Sequence, residues 1–293
     1  MARRINRAIE LLEQAQALYY DGPHTGHVLT YEQGRIDART WADYINVGME
    51  HGAFDMTGLE DYMRGLLAGG PTKSGHLTPA VIVEAPVNGT DGQNVAFNAW
   101  QFRQILARGV HGILLCQAES ADAVKEFVRA CRFPHHKVGT DKLGGGTRGR
   151  GSEPTAAPIW GFDQIEYFER AEPWPLSPKG ELLLGVKIES PPGVAHCDEI
   201  LAVPGLGFAE LGPGDLGLSL GYTSLQRRPY PKEMEDARAK VFAACRKNKL
   251  AFLEGQTPAS ITAALDEGVR VIAGHNPEVA KAGRAHQKRK MPV

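Results

Sequence analysis

The chain of 293 residues lacks the features that mark secreted, membrane-spanning and nucleic-acid-binding proteins. It has four cysteines, and no two of them stand at the C-x-x-C spacing of a zinc knuckle or a redox pair. No apolar run approaches the roughly 20 residues that cross a bilayer, and the first residues lack the apolar core of a signal peptide. The formal net charge of −1 gives no electrostatic basis for binding nucleic acid or a membrane surface. These absences predict a cytoplasmic protein with reduced thiols.

A dinucleotide-binding fingerprint is also absent, although the segment at about 133–158 is rich in glycine. No strand precedes its glycines and no helix is ready to follow them, as the G-x-G-x-x-G pattern requires. The segment instead carries Arg148 and Arg150 between single glycines, which predicts an inserted Gly/Arg-rich loop. Arg148 is therefore a candidate for binding a substrate carboxylate or phosphate. A solvated loop that contacts no ligand would have the same composition.

Short apolar runs alternate with amphipathic helical patterns along most of the chain. The clearest run is Pro79–Glu84, and the run His111–Leu115 is followed by a helix for which Ser120 is a suitable cap. About eight such strands are each followed by a helix, with no linker or low-complexity segment between them. Strands that alternate with helices predict a parallel sheet. Eight units without a division predict an α/β fold, a single (β/α)8 TIM barrel over residues 1–293.

Two of the predicted strands each deliver a carboxylate just past the strand end. The run Leu182–Ile188 is followed by Glu189, and the run Gly207–Leu211 is followed by Gly212-Pro213-Gly214-Asp215. In a (β/α)8 barrel the carboxyl ends of the strands meet at one face, where active sites lie. Hard divalent cations prefer carboxylate oxygens. Glu189 and Asp215 are therefore candidate metal ligands, although two polar loop residues would give the same pattern.

Other polar side chains follow predicted strands and are expected at the same face of the barrel. His51 comes after the second strand, Glu84 ends the third, Gln117 follows the fourth and His275 follows the eighth. A pKa near neutrality suits histidine to proton transfer. Judged on its surroundings alone, however, His51 is more often a loop or packing residue than a catalytic one.

The residues around both acids resemble the metal-ligand motifs of the HpcH/HpaI aldolase family. The resemblance rests on Val186–Ser190, Gly212–Leu216 and Leu218–Tyr222, with Glu50-His51-x-x-x-Asp55 upstream. It can be followed over roughly residues 41–285, apart from loop insertions. Citrate lyase β-subunits and malyl-CoA lyases share the barrel and the two acids, so the resemblance specifies the fold and the metal more closely than the substrate.

The resemblance implies a metal-dependent carbon–carbon lyase of the aldolase type. Family members hold Mg²⁺, Mn²⁺, Co²⁺ or a similar ion through two acids, here Glu189 and Asp215, and this ion binds a 2-oxo acid such as pyruvate. The matching histidine, His51, helps to move a proton on or off the substrate hydroxyl. Many members are hexamers, which implies a homo-oligomer. Gln117, Gly212 and Pro213 are candidate substrate-binding residues at the same strand ends.

Two further functions remain possible at this stage. One is an oxaloacetate decarboxylase of the macrophomate synthase kind, which would use the same metal but remove a carboxyl group instead of releasing an aldehyde. The other is a barrel that binds a small molecule without catalysis. Retention of both metal acids and of His51 argues against the second.

Three positions depart from the family pattern. Glu84 stands where family members have an arginine that stabilises the enolate. Lys187 replaces a glutamine two residues before the metal acid, and Gly48 replaces the acid that assists the histidine. Strand periodicity puts Lys187 on the same side as Glu189. Glu84 and Lys187 are therefore candidate catalytic residues that form a buried charge pair, in which Lys187 supplies the missing cation. Two alternatives stay open: Lys187 forms a Schiff base, or Glu84 is matched in the wrong register.

Overall fold

Eight parallel strands close into a barrel in the computed structural model of the chain, which describes residues 3–273 and 276–293. Hydrogen bonds join the barrel strands in the order β1-β2-β3-β4-β6-β7-β8-β9, and β9 pairs back with β1. The two-residue β5 pairs with the start of β6. The predicted (β/α)8 barrel is confirmed. The strands are β1 (Leu18–Asp21), β2 (Tyr44–Gly48), β3 (Ala80–Ala85), β4 (Gly112–Leu115), β5 (Pro173–Trp174), β6 (Leu182–Ile188), β7 (Phe208–Leu211), β8 (Ala251–Gly255) and β9 (Val271–Ala273).

Helices accompany the barrel strands, and several of them begin at a side chain that accepts a backbone N–H of the first turn. Asp55, Ser120 and Asp163 are such caps, and each satisfies a donor that the helix itself leaves unpaired. The helices are α1 (Arg7–Glu13), α2 (Tyr31–Asp37), α3 (Met56–Gly69), α4 (Gly92–Phe97), α5 (Ala99–Leu106), α6 (Ala121–Cys131), α7 (Thr140–Leu143), α8 (Glu153–Trp160), α9 (Gln164–Arg170), α10 (Pro191–Ala195), α11 (Cys197–Leu201), α12 (Pro213–Ser219), α13 (Lys232–Asn248), α14 (Ile261–Glu267) and α15 (Pro277–His286).

The segment at 133–158 is only partly the irregular loop that its composition predicts. It contains α7 and the first part of α8, while the glycines and arginines of residues 144–151 form the irregular connection between them. Arg148 is anchored in this connection because its backbone N–H donates to the carbonyl of Arg132, 2.8 Å away. Within this segment, residues 133–139 and 144–152 are therefore irregular, while residues 140–143 and 153–158 are helical.

The interior of the barrel changes from apolar to charged along the strand direction. Buried side chains from successive strands form one apolar cluster, to which Tyr44, Ile82 and Phe208 belong. Because side chains alternate along a strand, the next inward position lies two residues further on. At that level, toward the carboxyl ends, the same strands carry buried polar side chains: Asn46, Glu84 and Glu210. The fold therefore holds a charged layer, which includes Glu84 and Glu210, directly above the apolar cluster.

Two expectations from composition can be compared with the described residues. Within residues 3–273 and 276–293, none of the helices combines the length and the apolar character of a membrane span. The four cysteines are buried and unbridged, as expected for reduced thiols.

Candidate metal and substrate site

A cavity of about 480 Å³ lies at the carboxyl ends of the barrel strands and brings most of the predicted site residues together. Its lining includes six of the predicted residues. They are the candidate metal ligands Glu189 and Asp215, the candidate substrate-binding residues Gly212 and Pro213, and the candidate catalytic residues His51 and Lys187. His24 and Glu210 are among the lining residues that were not predicted. The strand-end argument therefore led to residues that do share one cavity, but it did not identify the residues deeper in the barrel.

Glu189 is fixed by the backbone of two neighbouring turns. It is buried directly after β6, and its Oε1 accepts the backbone N–H of Gln117 at 2.7 Å. Gln117 reaches it from a left-handed conformation with φ of 47°. On the other side, a Cβ at residue 212 would lie 2.3 Å from Glu189 Oε2, so only glycine leaves room for the carboxylate. The carboxylate is thus placed by the main chain before any ligand binds.

Asp215 lies in the first turn of α12, just past the end of β7. The helix begins at Pro213, whose fixed φ suits the first helical position. A carboxylate in a first turn is favoured by the unpaired N–H groups at that end. Asp215 is half-buried, so it faces the cavity while staying accessible to a ligand.

Glu50 is a site residue that the sequence analysis did not single out. Its Oε2 lies 2.7 Å from Lys187 Nζ and 3.7 Å from His51 Nε2. Its Oε1 is buried and has no hydrogen-bond partner among the described residues. Glu50 belongs to both groups of side chains that could hold a metal ion, one with Cys116 and Glu189 and one with His51 and Asp215, each with ligand atoms within 4.8 Å of one another. Its position directly before His51 was the signal that could have identified it.

The expected contact between Lys187 and Glu84 is present in the charged layer. Lys187 Nζ lies 3.7 Å from Glu84 Oε2, and both side chains are buried. In the register of the sheet, Glu84 of β3 pairs with Gly48 of β2 and with Leu114 of β4. Burial alone would lower the pKa of Lys187, but the surrounding acidic side chains, Glu210 and Glu84 among them, raise it above its ordinary value. These acids favour the ammonium form of Lys187 over the neutral amine that a Schiff base requires.

Negative charge exceeds positive charge in this layer. The carboxyl groups around Lys187 are buried and belong to Glu50, Glu84, Glu189 and Glu210. Among the described residues, Lys187 supplies the single ammonium group in their midst. Burial raises the pKa of Glu189 to about 8 and that of Glu210 to about 7. Buried carboxylates are costly without a cation. The donor set and the unpartnered Glu50 Oε1 therefore fit a hard divalent cation, which takes several carboxylate oxygens.

The raised carboxyl pKa values predict how the stability of the metal-free protein depends on pH. Glu189 and Glu210 have an ordinary pKa of 4.5, and in the folded state their pKa values are about 8 and about 7. Between these limits the folded state holds more protons than the unfolded state, so the free energy of unfolding falls as pH rises from about 5 to about 8. The fall is at most about 1.4 kcal/mol per pH unit for each carboxyl.

Urea denaturation at several pH values, with chelator and with Mg²⁺, measures this slope. Bound metal favours the ionised carboxylates, so Mg²⁺ should flatten it. The Glu189→Gln variant should also show a shallower slope without metal. A metal-free stability that rises over the same pH range would contradict the prediction.

Arg148 does not reach this cavity, so its assignment as a substrate-binding residue at the barrel mouth is not supported by its position. The guanidinium is buried, donates to Tyr167 Oη at 2.6 Å and to Ser152 Oγ at 3.1 Å, and lies 4.5 Å from the ring centre of Phe133. The composition of the segment drew attention to Arg148 but could not indicate where in the barrel its side chain lies. His275, predicted at the rim after the last strand, lies outside the described residues.

The family is identified by comparison with known proteins. The model of the HpcH/HpaI aldolase/citrate lyase family matches residues 87–270. A hydroxypyruvate/pyruvate aldolase of Roseobacter denitrificans is 30% identical over 235 residues, which cover 79% of this chain and 76% of that protein. The chain belongs to the HpcH/HpaI aldolase/citrate lyase family. The predicted class of enzyme, a carbon–carbon lyase, is confirmed at the level of this family.

Solved structures show the same barrel. A HpcH/HpaI aldolase/citrate lyase family protein from Burkholderia cenocepacia superposes with a TM-score of 0.69 at 22% identity, covering 97% of this chain and 98% of that chain. A citrate lyase beta subunit from M. tuberculosis, complexed with oxaloacetate and magnesium, superposes with a TM-score of 0.51 at 15% identity over 94% and 99% of the two chains. At these identities the superpositions establish the fold only. Which ligands this chain binds has to be argued from its own residues.

Proposed function

We propose that this protein is a divalent-metal-dependent aldolase that cleaves a 4-hydroxy-2-oxo acid, or a close relative, into pyruvate or a similar 2-oxo acid and an aldehyde. The observation that carries the proposal is the excess of buried carboxyl groups over ammonium groups at the mouth of a 480 Å³ cavity. Membership of an aldolase family and the hydroxypyruvate/pyruvate aldolase relative support the choice of reaction and of donor substrate.

In this proposal Glu189 and Asp215 hold the ion, Mg²⁺, Mn²⁺ or Co²⁺, and Glu50 contributes its unpartnered oxygen. When bound, the ion supplies positive charge beside the keto oxygen of the substrate, where negative charge develops as the carbon–carbon bond breaks. Lys187 adds a second fixed positive charge that Glu50 orients at 2.7 Å. His51 is half exposed at the cavity, where it can exchange a proton with water.

A larger neighbouring cavity is the proposed place for the aldehyde half of the substrate. It has a volume of about 880 Å³ and shares His24, Pro213 and Tyr230 with the first cavity. Arg227 and Gln256 are among its lining residues. Polar donors of this kind suit an aldehyde that carries hydroxyl or acidic groups. Small-molecule substrates are therefore the proposed partners of the site.

Metal removal tests the proposed function directly. We expect chelator-treated protein to release no pyruvate from 4-hydroxy-2-oxo acids, and we expect Mg²⁺, Mn²⁺ or Co²⁺ to restore turnover, because the ion carries the charge stabilisation. A coupled assay for pyruvate measures both. Full turnover after complete chelation would disprove the metal requirement. Oxaloacetate is assayed in parallel, and decarboxylation that exceeds every cleavage rate would favour the macrophomate synthase-like alternative.

The assembly of the protein is a separate proposal. The family resemblance predicts a homo-oligomer, a hexamer or a dimer-based form, and sedimentation of the purified protein measures it. The cytoplasmic location likewise stays a prediction.

A further inference from the structure

His24 and Glu84 form a carboxylate–imidazole pair inside the barrel mouth. His24 lies in the connection after β1, and its Nδ1 is 2.6 Å from Glu84 Oε1. The same carboxylate oxygen accepts the amide of Asn46 at 3.0 Å, and Lys187 Nζ lies 3.7 Å from the other oxygen. Glu84 is buried and held from three sides, so it is a fixed partner for the imidazole ring.

Gly48 makes room for this pair. A Cβ at residue 48 would lie 2.1 Å from the carbonyl oxygen of His24 and 2.6 Å from its Cα. No side chain therefore fits at residue 48 while His24 keeps its place. The two departures at Gly48 and Glu84 are thus structurally linked: glycine admits the backbone of His24, and the carboxylate of Glu84 receives its ring.

The ring of His24 is placed where substrate would lie. His24 lines both the 480 Å³ cavity and the 880 Å³ cavity, and 43% of its side chain is exposed. His51 lines only the first of them, and its nearest carboxylate oxygen, Glu50 Oε2, is 3.7 Å away and already paired with Lys187 at 2.7 Å. Of the two histidines, His24 therefore has the closer carboxylate and the position between the two proposed halves of the substrate.

We propose that His24, held by Glu84, is a proton-transfer residue of this site. The proposal rests on the aldolase function proposed above. With Nδ1–H donating to Glu84, Nε2 carries the free lone pair; its contact with the Tyr20 hydroxyl, at 3.4 Å, is long.

The proton balance of the step is closed. Nε2 takes the proton of the C4 hydroxyl, and the O–H electron pair forms the carbonyl of the leaving aldehyde. The C3–C4 bond breaks, and its electron pair stays with C3 of the 2-oxo acid. The imidazolium then gives the same proton to C3, which yields pyruvate or its homologue with no net change of protonation.

The surrounding charges suit this role. The hydrogen bond with Glu84 raises the pKa of His24, while burial and the ammonium of Lys187 oppose the rise; the negative charge of Glu210 adds to it. Burial would raise the pKa of Glu84, but the hydrogen bond with His24 and the charge of Lys187 lower it on balance. Glu84 thus stays a carboxylate and stabilises the protonated ring.

Three substitutions test the proposal in the metal-loaded full-length protein. We expect His24→Asn to lower kcat/KM for pyruvate release by about 100-fold or more, with Mg²⁺ affinity unchanged. It should slow the exchange of the pyruvate C3 hydrogens with D₂O, followed by NMR, to a similar degree. Added imidazole should restore part of the turnover of His24→Ala, which a structural role would not predict. Glu84→Gln should move the acid limb of the kcat/KM profile to lower pH by about one unit, because the neutral amide no longer raises the pKa of His24.

His27→Asn is the matched control in the same connection. Its imidazole also pairs with a carboxylate, Asp37 at 3.0 Å, and with the Tyr62 hydroxyl at 3.1 Å, but it does not line either cavity. We expect turnover within about threefold of wild type in this variant. Equal losses in His27→Asn and His24→Asn would overturn the proposal, since disorder of the connection would explain both. Near-normal turnover in His24→Asn, with loss in His51→Asn, would also overturn it.

The outcomes separate this inference from the proposed function. Wild-type protein that releases pyruvate but does not depend on His24 rejects the inference alone. Wild-type protein that neither releases pyruvate nor exchanges its C3 hydrogens, with any of the three metals, rejects the aldolase function and with it the role of His24.

Discussion

The Glu189→Gln variant is expected to lose more than about 100-fold in kcat/KM, together with most of its affinity for Mg²⁺. Glutamine keeps the size of the side chain but removes the charge that balances the ion, and its amide group would place donors where the ion needs acceptors. The backbone N–H of Gln117 still has an oxygen to bind, so the fold should persist. Calorimetric titration with Mg²⁺ and steady-state pyruvate release measure the two losses.

Glu199→Gln is the matched control for this variant. Glu199 is exposed in α11, ten residues further along the chain, and undergoes the same chemical change. Its affinity for Mg²⁺ and its turnover should equal those of the wild type. If Glu189→Gln bound Mg²⁺ as tightly as the control, Glu189 would not be a metal ligand.

Lys187→Met is expected to lower the free energy of unfolding of the metal-free protein by about 3–5 kcal/mol. The methionine retains much of the side-chain volume but leaves Glu50, Glu84 and Glu210 without their ammonium. Buried charges that lose their partner are destabilising, and several acids are affected here by a single substitution. Urea denaturation under two-state conditions measures the loss.

Lys125→Met provides the comparison for the lysine. Lys125 pairs with Asp122 at 3.1 Å on the exposed side of α6, where ion pairs contribute roughly 0–1 kcal/mol. Combining Lys187→Met with Glu84→Gln should recover part of the loss, because one uncompensated carboxylate is removed. A loss below about 1 kcal/mol for Lys187→Met would mean that the acids are already protonated without it.

The sequence predicted the barrel because its strands are apolar and alternate with helices in a regular order. The strand β6 was predicted with its observed ends, since Leu182–Ile188 is a continuous apolar run followed by acid and proline. The helix α12 was missed because Pro213-Gly-Asp-Leu-Gly-Leu-Ser contains two glycines and has a poor helical propensity. Burial of Leu216 compensates for that propensity, and such packing cannot be read from a local window.

The candidate site was predictable where it depends on single strand ends and unpredictable where it depends on contacts between distant segments. Glu189 and Asp215 could be placed at the mouth because the barrel brings all carboxyl ends to one face. His24 could not, since its connection shows no periodic pattern and its partner, Glu84, lies 60 residues away along the chain. Arg148 was expected at the same mouth but does not line its cavity, for the related reason that composition does not say where in the fold a side chain lies.

At residue 117, where the backbone is left-handed, the hydrogen bond that holds Glu189 does not depend on which side chain is present. The donor that holds Glu189 belongs to the main chain, so every residue except proline supplies it. The side chain at this position can therefore vary without loss of that hydrogen bond, and glycine, asparagine and aspartate suit the backbone best. Residue 117 is accordingly a position whose side chain can be replaced while the backbone donor keeps Glu189 in place.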